Sequence, residues 1–244
     1  SIIFNETNIN LTQVNFFFFI FRFQDVKTMK QKYFLRIALV FFITIYSKDI
    51  KSQILVENFD NDSQFVKSEN FFTDSTGDYF GIYDPVGDTD DFDGDPTSFG
   101  GIPNYSNYSF NYLIGEDLDA AGGSSTRTLT WSNLNITGYT NLTFSVYLGV
   151  DTGYFDSSDE VTFAVDIDGG GYTDIVSFSG TGTNTNATNG SITLSKILQE
   201  VTANITGTGT SLNLRLTVSA DSSNEEFAID NIRLEGTASS SDPS

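Results

Sequence analysis

Short alternating strands, separated by clusters of turn residues, dominate the chain from Ile54 onward and most limit what it can fold into. Hydrophobic residues recur at every second position in 141–149 and 211–219, as expected for strands buried on one face. The segments 160–168 and 172–178 flank three glycines and predict a hairpin. Because helical segments do not alternate with these strands, the chain predicts an all-β fold. We expect a two-sheet antiparallel β-sandwich of the jelly-roll type.

One segment leaves its secondary structure open. In "LSKILQEV", Leu194, Leu198 and Val201 have helical spacing, whereas Val201 also alternates with residues 203 and 205 as in a strand. Helix and strand are both compatible with this pattern. Further strands are expected at 54–60, 71–73, 79–83, 108–114, 126–131 and 225–236. Trp131 ends one of these alternating segments, and we interpret it as a core residue.

The first 53 residues have a different character. Met29 is the only methionine, and it precedes the basic residues Lys30, Lys32 and Arg36 and an apolar run at 37–45. This pattern is typical of a secretory signal peptide, and the run is shorter than the roughly 20 residues that span a bilayer. We therefore expect residues 1–28 to be an untranslated leader without a folding role and 29–53 to be a signal peptide. The mature protein is then secreted, extracellular or at the cell surface, with no membrane attachment after cleavage.

The C-terminal residues have the composition of a linker between domains. Residues 54–236 form the expected β-sandwich module, and the small polar residues of 237–244 are typical of a linker. We therefore expect a downstream domain in the same chain.

Charge and residue usage exclude several functions. Seven of the 12 basic residues precede Ile54, so residues 54–244 carry five basic residues against 29 acidic ones. Nucleic-acid binding by this segment is unfavourable, because affinity for phosphates depends on Lys and Arg. Cysteine and histidine are absent, which excludes disulfides, thiolate zinc sites and Ser-His-Asp triads. We expect no catalytic residues and no enzymatic activity.

An acidic stretch, "DTDDFDGD" at 88–95, is a candidate calcium loop. Asp91, Asp93 and Asp95 have the D-x-D-x-D spacing, but the glycine and glutamate that complete an EF-hand loop are missing. An irregular calcium loop and a solvated acidic loop both remain open.

Tyrosines provide the candidate sugar-binding residues. Tyr105 and Tyr108 lie beside asparagines in "IPNYSNYSFNY", and Tyr154 lies in another loop. Aromatic faces combined with amide hydrogen bonds suit a pyranose ring. The alternative is that Tyr108 and Tyr112 share a strand face and serve packing.

Several segments carry a family resemblance: "ILVENFD", "YLIGEDLD", "FDSSDEVTFAVDIDGGGYTDIVSF" and "FAIDNIRLEG". They resemble the β-sandwich modules of exported multidomain bacterial proteins, which often precede lamin-tail or nuclease domains. They are also similar to calcium-stabilised carbohydrate-binding jelly rolls. The resemblance implies a structural calcium held by Glu57 and Asp230. Asp117 and Asp119 match an acidic pair of the nuclease-associated modules.

The position of Asp230 in the predicted strand 225–236 also makes it a candidate calcium ligand. It lies between Ala228 and Ile232, which predicts an apolar face where a carboxylate is costly unless it is paired or metal-bound. A hydrogen-bonding or turn-capping role at a sheet edge is the alternative.

Three functions are compatible with these patterns. The first is a non-catalytic extracellular module that binds polysaccharide or a cell-surface glycan, or that positions the downstream domain. The second is a structural or adhesive, calcium-stabilised module of a cell-surface protein. The third is a glycoside hydrolase that uses paired carboxylates.

Overall fold

The protein is described by a computed structural model over residues 51–73, 78–83, 111–120 and 122–239. These residues all belong to the second of two units into which the chain divides, Ile50–Ser244. They form strands and connecting loops, and none of them lies in a helix long and apolar enough to cross a membrane. The strands are β1 Lys51–Glu57, β2 Val66–Lys67, β3 Phe72–Thr73, β4 Tyr79–Tyr83, β5 Tyr112–Glu116, β6 Thr126–Asn135, β7 Tyr139–Val150, β8 Glu160–Ile167, β9 Thr173–Ser179, β10 Thr188–Asn189, β11 Ile192–Thr193, β12 Gln199–Asn204, β13 Ser211–Ser219 and β14 Phe227–Ala238.

The strands form two antiparallel sheets. Sheet A has the order β12-β7-β14-β5-β4-β3, and β1 pairs with β14 beyond the stretch that β5 occupies. Sheet B has the order β11-β10-β9-β8-β13-β6-β2. The prediction of an all-β, two-sheet antiparallel sandwich is confirmed.

The core lies between the two sheets and follows the alternation of the sequence. Alternate residues of β7 in sheet A and of β13 in sheet B are buried in one cluster. Phe144 of β7 and Phe163 of β8 join the sheets, with ring centroids 4.8 Å apart. Trp131 is 1% exposed and packs in the same cluster, which confirms its assignment to the core.

The predicted hairpin is present. Strands β8 and β9 pair antiparallel, with Glu160 opposite Ser179 at the open end. Gly169 and Gly171 adopt φ values of 77° and 100° in the turn, a region that glycine occupies without strain. The glycine run therefore allows the chain to reverse between the two strands.

The ambiguous segment 194–201 contributes a strand. Strand β12 begins at Gln199, and Val201 is buried in the main core. Leu194 is buried, whereas Ile197 is 64% exposed, so the hydrophobic residues of the segment do not share one helical face. Pairing with β7 supplies the backbone hydrogen bonds that favour the strand.

A bulge in β14 corrects the predicted surroundings of Asp230. Asn231 has φ 52°, and the register of β14 against β7 shifts between Asp230 and Arg233. Ala228 therefore packs in a second cluster on the outer face of sheet A, whereas Ile232 packs in the main core. The two apolar neighbours of Asp230 do not define one apolar face, because the extra residue of a bulge reverses the alternation.

Candidate functional site

The outer face of sheet A carries a cluster of tyrosines. Tyr83 and Tyr147 are half-buried and pack against a buried group on this face. The rings of Tyr83 and Tyr112 meet edge to face, with centroids 5.3 Å apart. Burial raises the pKa of Tyr112, so its hydroxyl stays protonated. The buried group consists of Tyr79, Tyr112, Ile114, Leu198 and Ala228.

Polar side chains adjoin this aromatic cluster on strand β14. Ile232 and Leu234 both pack in the main core, so Arg233 between them lies on the outer face. The Arg233 Nη2 atom donates to Asn231 Oδ1 at 3.1 Å, and Asn231 Nδ2 donates to Asp230 Oδ2 at 3.2 Å. In the register of the sheet, Asp230 lies opposite Tyr147. The Asn231 amide and the Arg233 guanidinium therefore lie on the strand next to the half-buried ring of Tyr147.

Glu57 lies on β1, which pairs with the strand that carries Asp230. Its carboxylate is fully buried and accepts two hydrogen bonds, from the Phe59 amide at 2.7 Å and from Trp131 Nε1 at 3.1 Å. Burial raises the pKa of Glu57, and the two hydrogen bonds oppose this shift because they stabilise the anion.

Asp230 is also buried, with 1% of its surface exposed. Its Oδ1 atom has no hydrogen-bond partner among the described residues. Burial raises the pKa of Asp230 to about 7, and the negative charges of Asp60 and Glu57 act in the same direction. Glu57, Asp60 and Asp230 thus form an acidic group whose charges interact, while a cation held by Glu57 and Asp230 stays a prediction.

The other predicted site residues lie elsewhere or outside the described residues. Asp117 follows β5 with φ 42°, and Asp119 is exposed in the turn that follows. Tyr154 lies in the β7–β8 connection and is 40% exposed. It does not belong to the tyrosine cluster of sheet A. Five of the predicted residues lie outside the described residues: Asp91, Asp93, Asp95, Tyr105 and Tyr108.

A row of buried carboxylates at one end of sheet A was missed in the sequence. Glu116 ends β5, Glu226 precedes β14, and Asp151 follows β7, so the three residues lie at the same end of neighbouring strands. Burial raises the pKa of Glu116 to about 8 and that of Glu226 to about 7. Lys196 Nζ lies 2.7 Å from Asp151 Oδ1 and neutralises part of this charge. Asp78 and Asp117 add negative charge near Glu116.

A second missed group joins Asp156, Asp159 and Glu225. Each of them places a carboxylate oxygen within 4.8 Å of the other two. Asp156 and Asp159 lie shortly before β8, which begins at Glu160, whereas Glu225 comes from a distant part of the chain. The only feature of the sequence that marked Glu225 was the pair of glutamates, 225–226, directly before the last strand.

Comparison with known proteins gives structural similarity without sequence similarity. No protein-family model and no curated protein matches the chain. A xylanase of Clostridium thermocellum, with CBM22-1 and GH10 modules and bound xylohexaose, is 10% identical with a TM-score of 0.44. The alignment covers 77% of this chain and 29% of the xylanase.

Two smaller solved structures are similar over most of their length. TmCBM61 in complex with β-1,4-galactotriose is 11% identical, with 72% of this chain and 90% of that chain covered and a TM-score of 0.42. A cleaved adhesin domain of Lys-gingipain from Porphyromonas gingivalis is 16% identical, with 77% and 98% covered and a TM-score of 0.43. At these identities and TM-scores, the similarities assign no residue and no ligand.

Proposed function

We propose that the sandwich is a non-catalytic module that binds polysaccharide on the outer face of sheet A. The observation that carries this proposal is the half-exposed Tyr147, with Arg233 and Asn231 on the neighbouring strand. A tyrosine ring can stack on the apolar face of a pyranose, while a guanidinium and an amide bind its hydroxyl groups. The combination provides both kinds of contact that a sugar ring requires.

The position of Tyr105 and Tyr108 in the chain supports the same face. Strand β4 ends at Tyr83 and β5 begins at Tyr112, and these two residues are direct partners in the sheet. The described residues on either side of the segment that contains Tyr105 and Tyr108 therefore lie in the tyrosine cluster. Tyr108 precedes Tyr112 by only four residues. We propose both tyrosines as further contacts for the same polysaccharide.

A retention experiment tests this function. The full chain is run through native gels that contain soluble polysaccharides and is mixed with insoluble ones. We expect retention on at least one glycan and a roughly tenfold loss of affinity for Tyr147→Ala, equivalent to about 1.4 kcal/mol. Tyr172→Ala is the matched control, because Tyr172 is 38% exposed in the β8–β9 turn of the other sheet, where its ring packs against Arg215. Equal loss in both variants, or retention on no glycan, would contradict the proposal.

The acidic group of Glu57, Asp60 and Asp230 favours a second candidate, a calcium-stabilised structural or adhesive module. Calcium prefers carboxylate and carbonyl oxygens, and a cation would relieve the repulsion between the buried Glu57 and Asp230 and the exposed Asp60. This candidate predicts no glycan retention. Calcium would raise the unfolding temperature, and Asp230→Ala would remove that increase.

Glycoside hydrolysis is a third candidate, because it uses paired carboxylates and the buried Glu116 and Glu226 lie at the same end of neighbouring strands. Release of reducing sugar by the full chain, abolished in Glu116→Gln, would support hydrolysis over simple binding.

We also propose that the module is exported and is followed by another domain in the same protein. N-terminal sequencing of the protein from the culture medium tests the export and the cleavage position.

A further inference from the structure

Two connections cross from one sheet to the other at the same end of the sandwich. One leads from β7 in sheet A to β8 in sheet B, and the other leads from β13 in sheet B to β14 in sheet A. Val150 is the register partner of Phe227, and Glu160 is the register partner of Ser219. The two connections therefore begin and end side by side, at the positions where the sheets are joined.

Three carboxylates meet between these connections. Asp156 and Asp159 come from the first connection and Glu225 from the second. Asp159 is 1% exposed and Glu225 4% exposed, and all three residues place carboxylate oxygens within 4.8 Å of one another. Asp221 adds a fourth negative charge nearby. Like charges this close inside a protein repel strongly unless something neutralises them.

No basic side chain neutralises this group in the part of the chain that the structure describes. The three ion pairs there involve Asp62, Glu69 and Asp151, and none of these acids belongs to the group. The neighbouring Asp151 shows the difference, because Lys196 Nζ lies 2.7 Å from its Oδ1 atom, whereas no ion pair among the described residues includes Glu225. No ion pair among the described residues therefore offsets the charge of Asp156, Asp159 and Glu225, which a bound cation would do.

Backbone amides hold the carboxylates of Asp159 and Glu225 in place, and one buried carboxylate oxygen remains available to a ligand. The Asp156 amide donates to Asp159 Oδ2, and the Asp221 amide donates to Glu225 Oε2 at 2.7 Å. The buried Oδ1 atom of Asp159 has no hydrogen-bond partner among the described residues. A buried acceptor without a donor is unfavourable, and a bound cation would satisfy it.

We propose that Asp156, Asp159 and Glu225 bind a calcium ion that ties the two crossing connections together. The donor set consists of hard oxygen atoms only, which calcium prefers over softer metals that select imidazole or thiolate. Oxygen ligands at about 2.3–2.6 Å from calcium lie at most about 5 Å apart across the ion, in keeping with the limit of 4.8 Å. Backbone carbonyls and water complete the coordination. This site is separate from Glu57 and Asp230 and does not depend on sugar binding.

Calcium titration of the full chain, first stripped with a chelator, tests the site. Calorimetry compares the wild type with Asp159→Asn and Glu225→Gln, and with Asp174→Asn as the control for loss of one exposed negative charge. We expect both site variants to lose one binding event or to bind at least tenfold more weakly, while the control titrates as the wild type. Asp230→Asn keeps this event, which separates it from a site at Glu57.

Thermal unfolding separates a ligand role from a purely structural one. In chelator, Asp159→Asn should unfold at the same temperature as the wild type or higher, because one repelling charge is gone. In calcium it should unfold lower, because the stabilisation by the bound ion is lost. Unchanged titrations in both site variants would overturn the proposal. So would an equal fall in unfolding temperature with and without calcium, or an equal effect of magnesium at the same concentration.

Discussion

The hydrogen bond between Trp131 and Glu57 should stabilise the packing of β1 against sheet B. Trp131→Phe removes the indole donor from a fully buried carboxylate. The lost hydrogen bond to a charged acceptor costs about 1.5–3 kcal/mol. The space left by the smaller ring adds about 1 kcal/mol. We therefore expect the free energy of unfolding to fall by about 3 kcal/mol, a large part of the about 5–15 kcal/mol of a typical domain.

A double-mutant cycle isolates the hydrogen bond from the loss of packing. Urea unfolding of Trp131→Phe, Glu57→Gln and the double variant is followed by circular dichroism, because Trp131 is the only tryptophan and its fluorescence is lost. We expect a coupling energy of at least about 1 kcal/mol. Phe178 is fully buried on β9, so Phe178→Leu combined with Glu57→Gln provides the control and should be additive. Additivity of Trp131→Phe and Glu57→Gln within about 0.5 kcal/mol would refute the interaction.

Three further changes test the packing and electrostatics of sheet A. The pKa of Glu116 in the folded protein, about 8, lies above its ordinary value. The contribution of Glu116 to the free energy of unfolding is therefore fully present below about pH 4.5. It is lost as the pH rises towards 8, by up to about 1.4 kcal/mol per pH unit. Glu116→Gln should flatten that slope in unfolding measurements made in chelator; an unchanged slope would assign it to other groups. A Cβ atom at Gly115 would lie 2.4 Å from Cζ of Phe227, so Gly115→Ala should destabilise by about 1–3 kcal/mol in urea, and a neutral result would show that the ring can move. At Asn231, φ 52° disfavours branched side chains, so Asn231→Val should lower the unfolding temperature while Asn231→Gly does not; equal stability of the two would argue against the bulge.

The periodicity of the sequence was sufficient to predict the sandwich. Alternation in 141–149 and 211–219 identifies which residues of β7 and β13 face the core, and the glycine run at 169–171 identifies the β8–β9 hairpin. These features are local, since each depends on residues that are adjacent in the chain. The bulge at Asn231 was not predictable, because a single residue in the left-handed region leaves no periodic signal.

The candidate sites depended on long-range pairing, which a single sequence does not show. Glu225 meets Asp156 and Asp159 only because β14 pairs with β7 while β13 pairs with β8. Strands β1 and β14, which carry Glu57 and Asp230, pair in sheet A, while a calcium ion held by these two residues remains a prediction. Tyr147 was visible as an outward residue of β7, but its proximity to Arg233 required the sheet order.

The most direct test of the central claim is to map a bound oligosaccharide by NMR on the isotope-labelled full chain. The oligosaccharide is taken from the glycan that retains the protein. We predict that the largest amide shift changes lie at Tyr83, Tyr147, Asn231 and Arg233, on the outer face of sheet A. Changes confined to the β8–β9 hairpin and Tyr172, or no changes at saturating sugar, would contradict the assignment of this face as the binding surface.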